Sequence, residues 1–307
     1  MYNETWKREY MAQHRGGIFS TNSIAALFDQ IAGKEAEWGA DICTQEREPI
    51  EALLNNDMPR PNGRAARLLM LRDYVRWCID QGYPGACDGI MQVQVYGIDK
   101  YRDTMVRDAA DLQARVDRIL DPLGKNTVHV IYRCALWLAF CGVPVSELSN
   151  IQRSDVTPPN RHNSKWRVRF GNHQSAVLCP EAILTVKKAM DLTSFIYEHN
   201  NPYYVTQVSR VEGTALLRGT DGVLSTQRIQ MRLSSRAKTC EGTSLQLNRV
   251  WQSGTFQRMY EMEQAGFPLD FTVTDLRGQR CDGKVLQKDT ARKNLWQYCM
   301  WKLAFDL

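Results

Sequence analysis

Apolar positions near the start of the chain recur with the period of a helix. Ser20–Asn22 offers a cap, and Ile24, Leu27, Phe28 and Ile31 follow at i, i+3, i+4 and i+7. Gly33 and Gly39 punctuate this pattern. A second helix is predicted over 48–54, closed by Asn55-Asn56-Asp57 and the Pro59-x-Pro61 turn. The third pattern is the clearest: between Gly63 and Gln81, Ala65, Leu68, Leu71, Val75, Cys78 and Ile79 share one face, and Gly82 supplies the stop. Residues 20–91 therefore read as a small all-helical domain. Residues 1–19 precede it as a polar arm, either helical or free, and 92–105, which carry no stripe, read as a linker.

From residue 106 to 307 a larger domain is predicted. Helix resumes at 108–120. Residues 127–141 are apolar nearly all round in their second half, the mark of a helix buried at a domain centre. Gly142 and Pro144 end it, and a short helix follows at 145–150. The period then changes to two. Trp166, Val168 and Phe170 alternate with Arg167 and Arg169, Gly171-Asn172 turns the chain, and 175–179 returns as a second strand, a hairpin. Helices follow at 181–199, 225–238, 247–266 and 290–305. The fold class is mainly α (α+β): a small helical domain, then a mostly helical one with a small antiparallel sheet.

Composition narrows the class. With 307 residues, 43% hydrophobic and 24% charged, the chain is an ordinary globular one of about two domains. The longest apolar run, Cys134–Val143, is far short of the roughly 20 residues a membrane helix needs. The first twenty residues carry Glu4, Lys7, Arg8, Glu9 and Arg15 and no apolar stretch, so no secretory signal is expected and the location reads as cytoplasmic. The 9 cysteines contain no Cys-x-x-Cys pair and several lie inside apolar stripes, so they read as packing residues, with no metal and no cofactor expected. Charge is uneven: residues 1–104 hold 12 Lys and Arg against 15 Asp and Glu, whereas 205–307 hold 15 against 10. A basic C-terminal part is compatible with nucleic acid.

Two stretches carry a resemblance. The first is Tyr74-Val75-Arg76-Trp77-Cys78-Ile79-Asp80-Gln81-Gly82. The second is Cys141-Gly142-Val143-Pro144-Val145-Ser146-Glu147-Leu148, continuing to Asp155-Val156. Together with the order of elements they resemble the tyrosine recombinases, the phage-integrase family: a core-binding domain, then a first box of Gly, Ser-Glu-Leu and a terminal Asp-Val. Ser253-Gly254-Thr255-Phe256, with Gln264-Ala265-Gly266, is similar to the second box. The resemblance spans about residues 20–305. It implies a three-stranded sheet after the first box, double-stranded DNA as partner, a homo-oligomer on DNA with swapped C-terminal segments, and a bacterial or phage-encoded origin in a mobile element. It also implies strand transfer without a metal: a tyrosine attacks the phosphodiester, two arginines clamp the phosphoryl oxygens, and a hairpin lysine and a His move protons.

Several of those positions are changed here. Proline, with neither donor nor charge, stands at 144 where the first arginine is expected. Val250 and Ser253 occupy the His-x-x-Arg positions of the second box, and no histidine follows His199. Trp166–Pro180 contains no lysine. Tyr298 falls where the nucleophile is expected, though Leu295, Trp296, Trp301 and Leu303 around it also suit a packing tyrosine. Arg249, one turn before Ser253, is the candidate for a relocated arginine.

The candidate DNA contacts are Arg64 and Arg67, Arg167 and Arg169 on the hairpin, and Arg228, Arg232, Arg236 and Lys238. The last group lies on a helix that has no acidic residue between Val223 and Cys240. Arg167 and Arg169 also suit the solvated face of a hairpin. Losing a single transition-state donor costs about 10²–10³ in rate. The residues therefore favour a DNA-binding protein with an incomplete active site. The alternatives are an active recombinase using Tyr298 with Arg249, Arg258, Arg169 or Arg133 relocated, and an interaction module that does not bind DNA.

Overall fold

The computed structural model describes residues 1–14, 18–57, 63–120, 127–161, 164–171, 174–197, 207–219, 222–269, 271 and 288–307. The fold is mainly helical with small antiparallel sheets. The chain packs as two compact units, 1–101 with 259–307, and 102–258. Residues 259–307, expected with the second domain, thus contribute to the first unit.

In the first unit, the expected polar arm is helix α1 (Glu4–Gln13), with Lys7 and Tyr10 buried. Lys7 Nζ lies 2.5 Å from Glu35 and 3.6 Å from Asp41, and all three side chains are excluded from solvent. A buried lysine breaks the apolar stripe that sequence patterning relies on, and only carboxylates distant in sequence make its burial tolerable. Helix α2 (Thr21–Trp38) starts at Ser20, whose hydroxyl accepts from the Ser23 amide. It runs through Gly33 and stops at Gly39, which takes φ 64°. Helix α3 (Arg47–Ala52) passes into a π turn, and α4 (Arg64–Asp80) follows. On α4 the buried face includes Tyr74, while Ile79, expected inside, is 40% exposed.

The expected linker is also ordered: a 3-10 turn spans Gly89–Gln92 and helix α5 spans Ile98–Thr104. Val93, Val95 and Ile98 are buried at its start. Helix α11 (Lys288–Ala304) completes this unit, adding Cys299, Leu303 and Ala304 to the core formed by Ile24, Phe28, Leu68, Leu71 and Tyr74. Residues 270 and 272–287 lie outside the described residues.

The second unit is built around helix α7 (Val128–Phe140). Cys134 to Ala139 on it are fully buried, as its all-round apolar pattern predicts. Helix α6 (Ala109–Ile119) begins at Asp108, whose carboxylate accepts from the Asp111 amide. After α7 the expected short helix is two 3-10 turns, Leu148–Asn150 and Arg153–Asp155. Strands β1 (Val156–Thr157), β2 (Arg167–Phe170) and β3 (Gln174–Val177) form an antiparallel sheet in that order, with Val168 opposite both Val156 and Ala176.

Helix α8 (Pro180–Asp191) is shorter than the predicted 181–199. Its C-terminal carbonyls, Met190 and the following Leu192, accept from the buried Arg218 at 3.1 and 2.5 Å. The β-branched and aromatic residues beyond it instead form β4 (Ser194–Tyr197), paired with β5 (Gln207–Arg210). A short ribbon, β6 (Arg218–Gly219) with β7 (Gly222–Val223), precedes α9 (Thr226–Glu241). Ser225 caps α9 and Gly242, at φ 68°, ends it. Helix α10 (Leu247–Gln264) follows, and the boundary between units falls at residues 258 and 259.

Candidate nucleic-acid interface

The segment resembling the first box is held from both sides. Gly142, at φ 105°, turns the chain off α7, and its amide donates to Ala139. The backbone conformation requires glycine, and a β-carbon there would stand 2.9 Å from the tip of the Arg258 guanidinium. Pro144 accepts from the Glu147 amide. Ser149 then reaches α9: its hydroxyl lies 2.6 Å from the Thr226 hydroxyl and accepts from the Thr226 amide at 2.9 Å. Further on, Asp155 and Gln152 close a capping box around the second 3-10 turn.

Val168 and Phe170 point into the core from β2, which leaves Arg167 half-buried and Arg169 exposed on the other face. Arg167 donates to the Ser175 hydroxyl at 3.2 Å, and Arg169 lies 3.7 Å from Asp155. Between hairpin and box lies a cleft of about 320 Å³, lined by Glu147, Asn150, Ile151, Asp155, Arg169 and Phe170. Two carboxylates face one guanidinium there. Among the described residues that line the cleft, Arg169 is the one cationic side chain.

Helix α9 carries a row of exposed cations. Ile229, Leu233 and Ala237 are buried at successive turns, and Arg228, Arg232 and Arg236, each one residue earlier, are exposed beside them with Lys238. Arg236 donates to the Ile119 carbonyl at 2.9 Å, which fixes its side chain along the helix flank. Arg161 and Lys165, before β2, are exposed basic residues that the alternation pattern did not single out. The available signal was the run from Arg161 to Arg169, which has four basic residues and no acidic one.

The other candidates have structural partners. In the first unit, Arg64 donates to the Asn55 carbonyl at 2.5 Å and Arg67 lies against Gly63. In the second, Arg249 donates to Gln252 at 3.0 Å and Arg258 to the Phe140 carbonyl at 2.7 Å, while Arg133 binds Asp117 and the Leu120 carbonyl. Val250 and Ser253, at the second-box positions, are fully buried.

Tyr298, in the first unit, is buried too. Its hydroxyl donates to Glu263 at 2.6 Å, and its ring stacks on Trp301. Lys302 holds the same carboxylate at 2.9 Å. Burial, with the Glu263 charge beside it, pushes the phenol far above its ordinary value, so its proton is firmly held. Among the described residues no cluster of His, Cys, Asp and Glu could hold a metal ion, and no helix is long and apolar enough to cross a membrane.

Among solved structures, the chain is similar to lambda integrase residues 75–356 bound to DNA, at 14% identity over 94% of this chain and 96% of that one, with a TM-score of 0.37. It is similar to XerA recombinase at 13% identity, over 84% and 83% of the two chains, with a TM-score of 0.34. It is also similar to the integrase of mycobacterium phage Brujita at 14% identity, over 97% and 91%, with a TM-score of 0.33. No protein-family model matches the chain. No curated protein matches it.

Proposed function

We propose that this chain is a DNA-binding protein of tyrosine-recombinase type, from a phage or mobile element, that holds duplex DNA without forming a covalent adduct. The observation that carries the reading is the α9 row of Arg228, Arg232 and Arg236 on a helix with no acidic residue before Glu241. Ser149 ties the start of that helix to the first-box segment. Such a row suits the regular spacing of phosphates and carries no base readout of its own. Arg167, Arg169 and Lys238 extend the basic contacts in the second unit, and Arg64 and Arg67 supply them in the first.

Cleavage needs an accessible nucleophile and two guanidinium clamps. Pro144, the buried Val250 and Ser253, and the buried Tyr298 count against each of those parts. Assembly of several copies on one DNA belongs to the same proposal.

Anisotropy of a labelled random duplex, titrated with protein across a salt series, tests the reading. The logarithm of the binding constant should fall linearly with the logarithm of salt. An R228Q/R232Q variant should bind more weakly, with a slope shallower by about 2. Binding that shows no salt dependence, or none at low salt, overturns the proposal in favour of an interaction module that does not use DNA.

A further inference from the structure

Cys141 follows the last turn of α7, and Cys179 is the residue before Pro180 at the start of α8. Their sulfurs are 3.7 Å apart across 38 residues of chain. A disulfide requires about 2.05 Å, so about 1.7 Å of approach would close one. Cys179 is half-buried and Cys141 is 7% exposed, which gives an oxidant access through Cys179. The other described thiols lack this combination. Cys43 and Cys78 also pair but are fully buried, as are Cys134 and Cys299; Cys87 is half-buried and donates to the Gln45 carbonyl, and Cys240 is exposed on α9.

We propose that Cys141 and Cys179 form a reversible thiol–disulfide pair whose closure ties the end of α7 to the start of α8 and restrains the segment between them. That segment contains the first-box residues and the whole β1-β2-β3 sheet. The oxidant is the disulfide of a low-molecular-weight thiol. The hydrogen bond to Cys141 and burial push the Cys179 thiol up, so access and not acidity selects it: its sulfur loses its proton to solvent and attacks the oxidant as thiolate, giving a mixed disulfide and releasing one small thiol. The Cys141 thiolate then attacks the Cys179 sulfur and releases the second. The two protein protons end on the two released thiols, and the two electrons lost by the protein reduce the oxidant. Cys141 suits the resolving step: hydrogen bonding from Cys179 holds its thiol below the ordinary value, against the opposing effect of burial and with help from the nearby Arg258 charge. By contrast, burial pushes Cys134 up.

The full chain would be equilibrated at graded ratios of reduced to oxidised glutathione, alkylated, cut with trypsin without reduction and weighed. The expected product joins the peptide 134–153 to the peptide 170–187, two mass units below the sum of the reduced peptides, and it disappears after dithiothreitol. C141S and C179S should each abolish it, and C134A should retain it. Amide exchange across residues 144–178 should slow at least tenfold in the oxidised protein. Full alkylation of both cysteines at every ratio, glutathione retained on Cys179 without the cross-link, a link through Cys134, or unchanged exchange would each overturn the proposal.

Discussion

Gly254 shows how tightly a single position can be fixed. A β-carbon there would lie 1.9 Å from the Phe140 carbonyl oxygen, where α10 meets the end of α7. The contact is with backbone, so no side-chain rotation relieves it. G254A should therefore lower the thermal midpoint severely or abolish soluble protein. Gly33 is the opposite case. It lies inside α2 with nothing within 4 Å of its would-be β-carbon. G33A should raise stability by about 0.5–1 kcal/mol in urea denaturation, because it restricts the unfolded chain without a clash.

Tyr298 also makes a prediction at this scale. Its folded-state phenol titrates above the ordinary value, so above about pH 10 the folded protein retains a proton that the unfolded chain has released. Its contribution to stability is fully present below that pH and lost as pH rises further. Tyr10 and Tyr74, held by Asp73 and Asp41, act in the same direction. Y298F should cost about 1–3 kcal/mol at pH 8, since Lys302 still satisfies Glu263, and should make the alkaline loss of stability shallower. Urea midpoints of the two proteins at pH 8 and pH 10.5 measure both effects. A variant whose alkaline slope matches the parent would contradict the assignment.

At the scale of elements, α1 depends on one buried charge. Removing the Lys7 ammonium leaves Glu35 and Asp41 together in the interior, with Tyr74 and Asn3 donating to Asp41. K7M should destabilise the first unit by about 3–5 kcal/mol in denaturation. It should also raise amide exchange over residues 4–13, because α1 loses its attachment before the rest of the unit. Helix α9 behaves otherwise. Its arginines are exposed, so R228Q/R232Q should leave the thermal midpoint nearly unchanged while weakening DNA binding.

The contrast between these helices explains what the sequence could convey. Strict apolar periodicity placed α2, α4, α6, α7 and α9 well, and alternation placed the β2-β3 hairpin. Patterning left α1 open between helix and free arm, because its interior lysine is made tolerable by a carboxylate 28 positions away. It extended α8 too far, because a continuing apolar run does not distinguish helix from the β-branched strand β4.

At the scale of the whole molecule, residues 259–307 pack with the first unit, and patterning cannot reveal this. The apolar face of α11 names no partner, and only the fold shows that Leu303 and Cys299 meet the core of α2 and α4. The candidate site was legible as residue types. Pro144, the absent histidine and the arginine row on α9 are all visible in the sequence. The apolar neighbours of Tyr298 suited a packing tyrosine, but the sequence did not convey its Glu263 partner or the meeting of Cys141 with Cys179, since both depend on segments brought together by folding.

The central claim is that this protein holds duplex DNA without covalent strand cleavage. It is tested most directly by capturing genomic duplex fragments on purified protein at low and high salt, with half of each sample denatured in detergent before sequencing. The account predicts fragments captured at low salt, depleted at high salt and wholly released by detergent. Fragments that stay attached through denaturation, and are lost in Y298F, would demonstrate a live phosphotyrosine and contradict it.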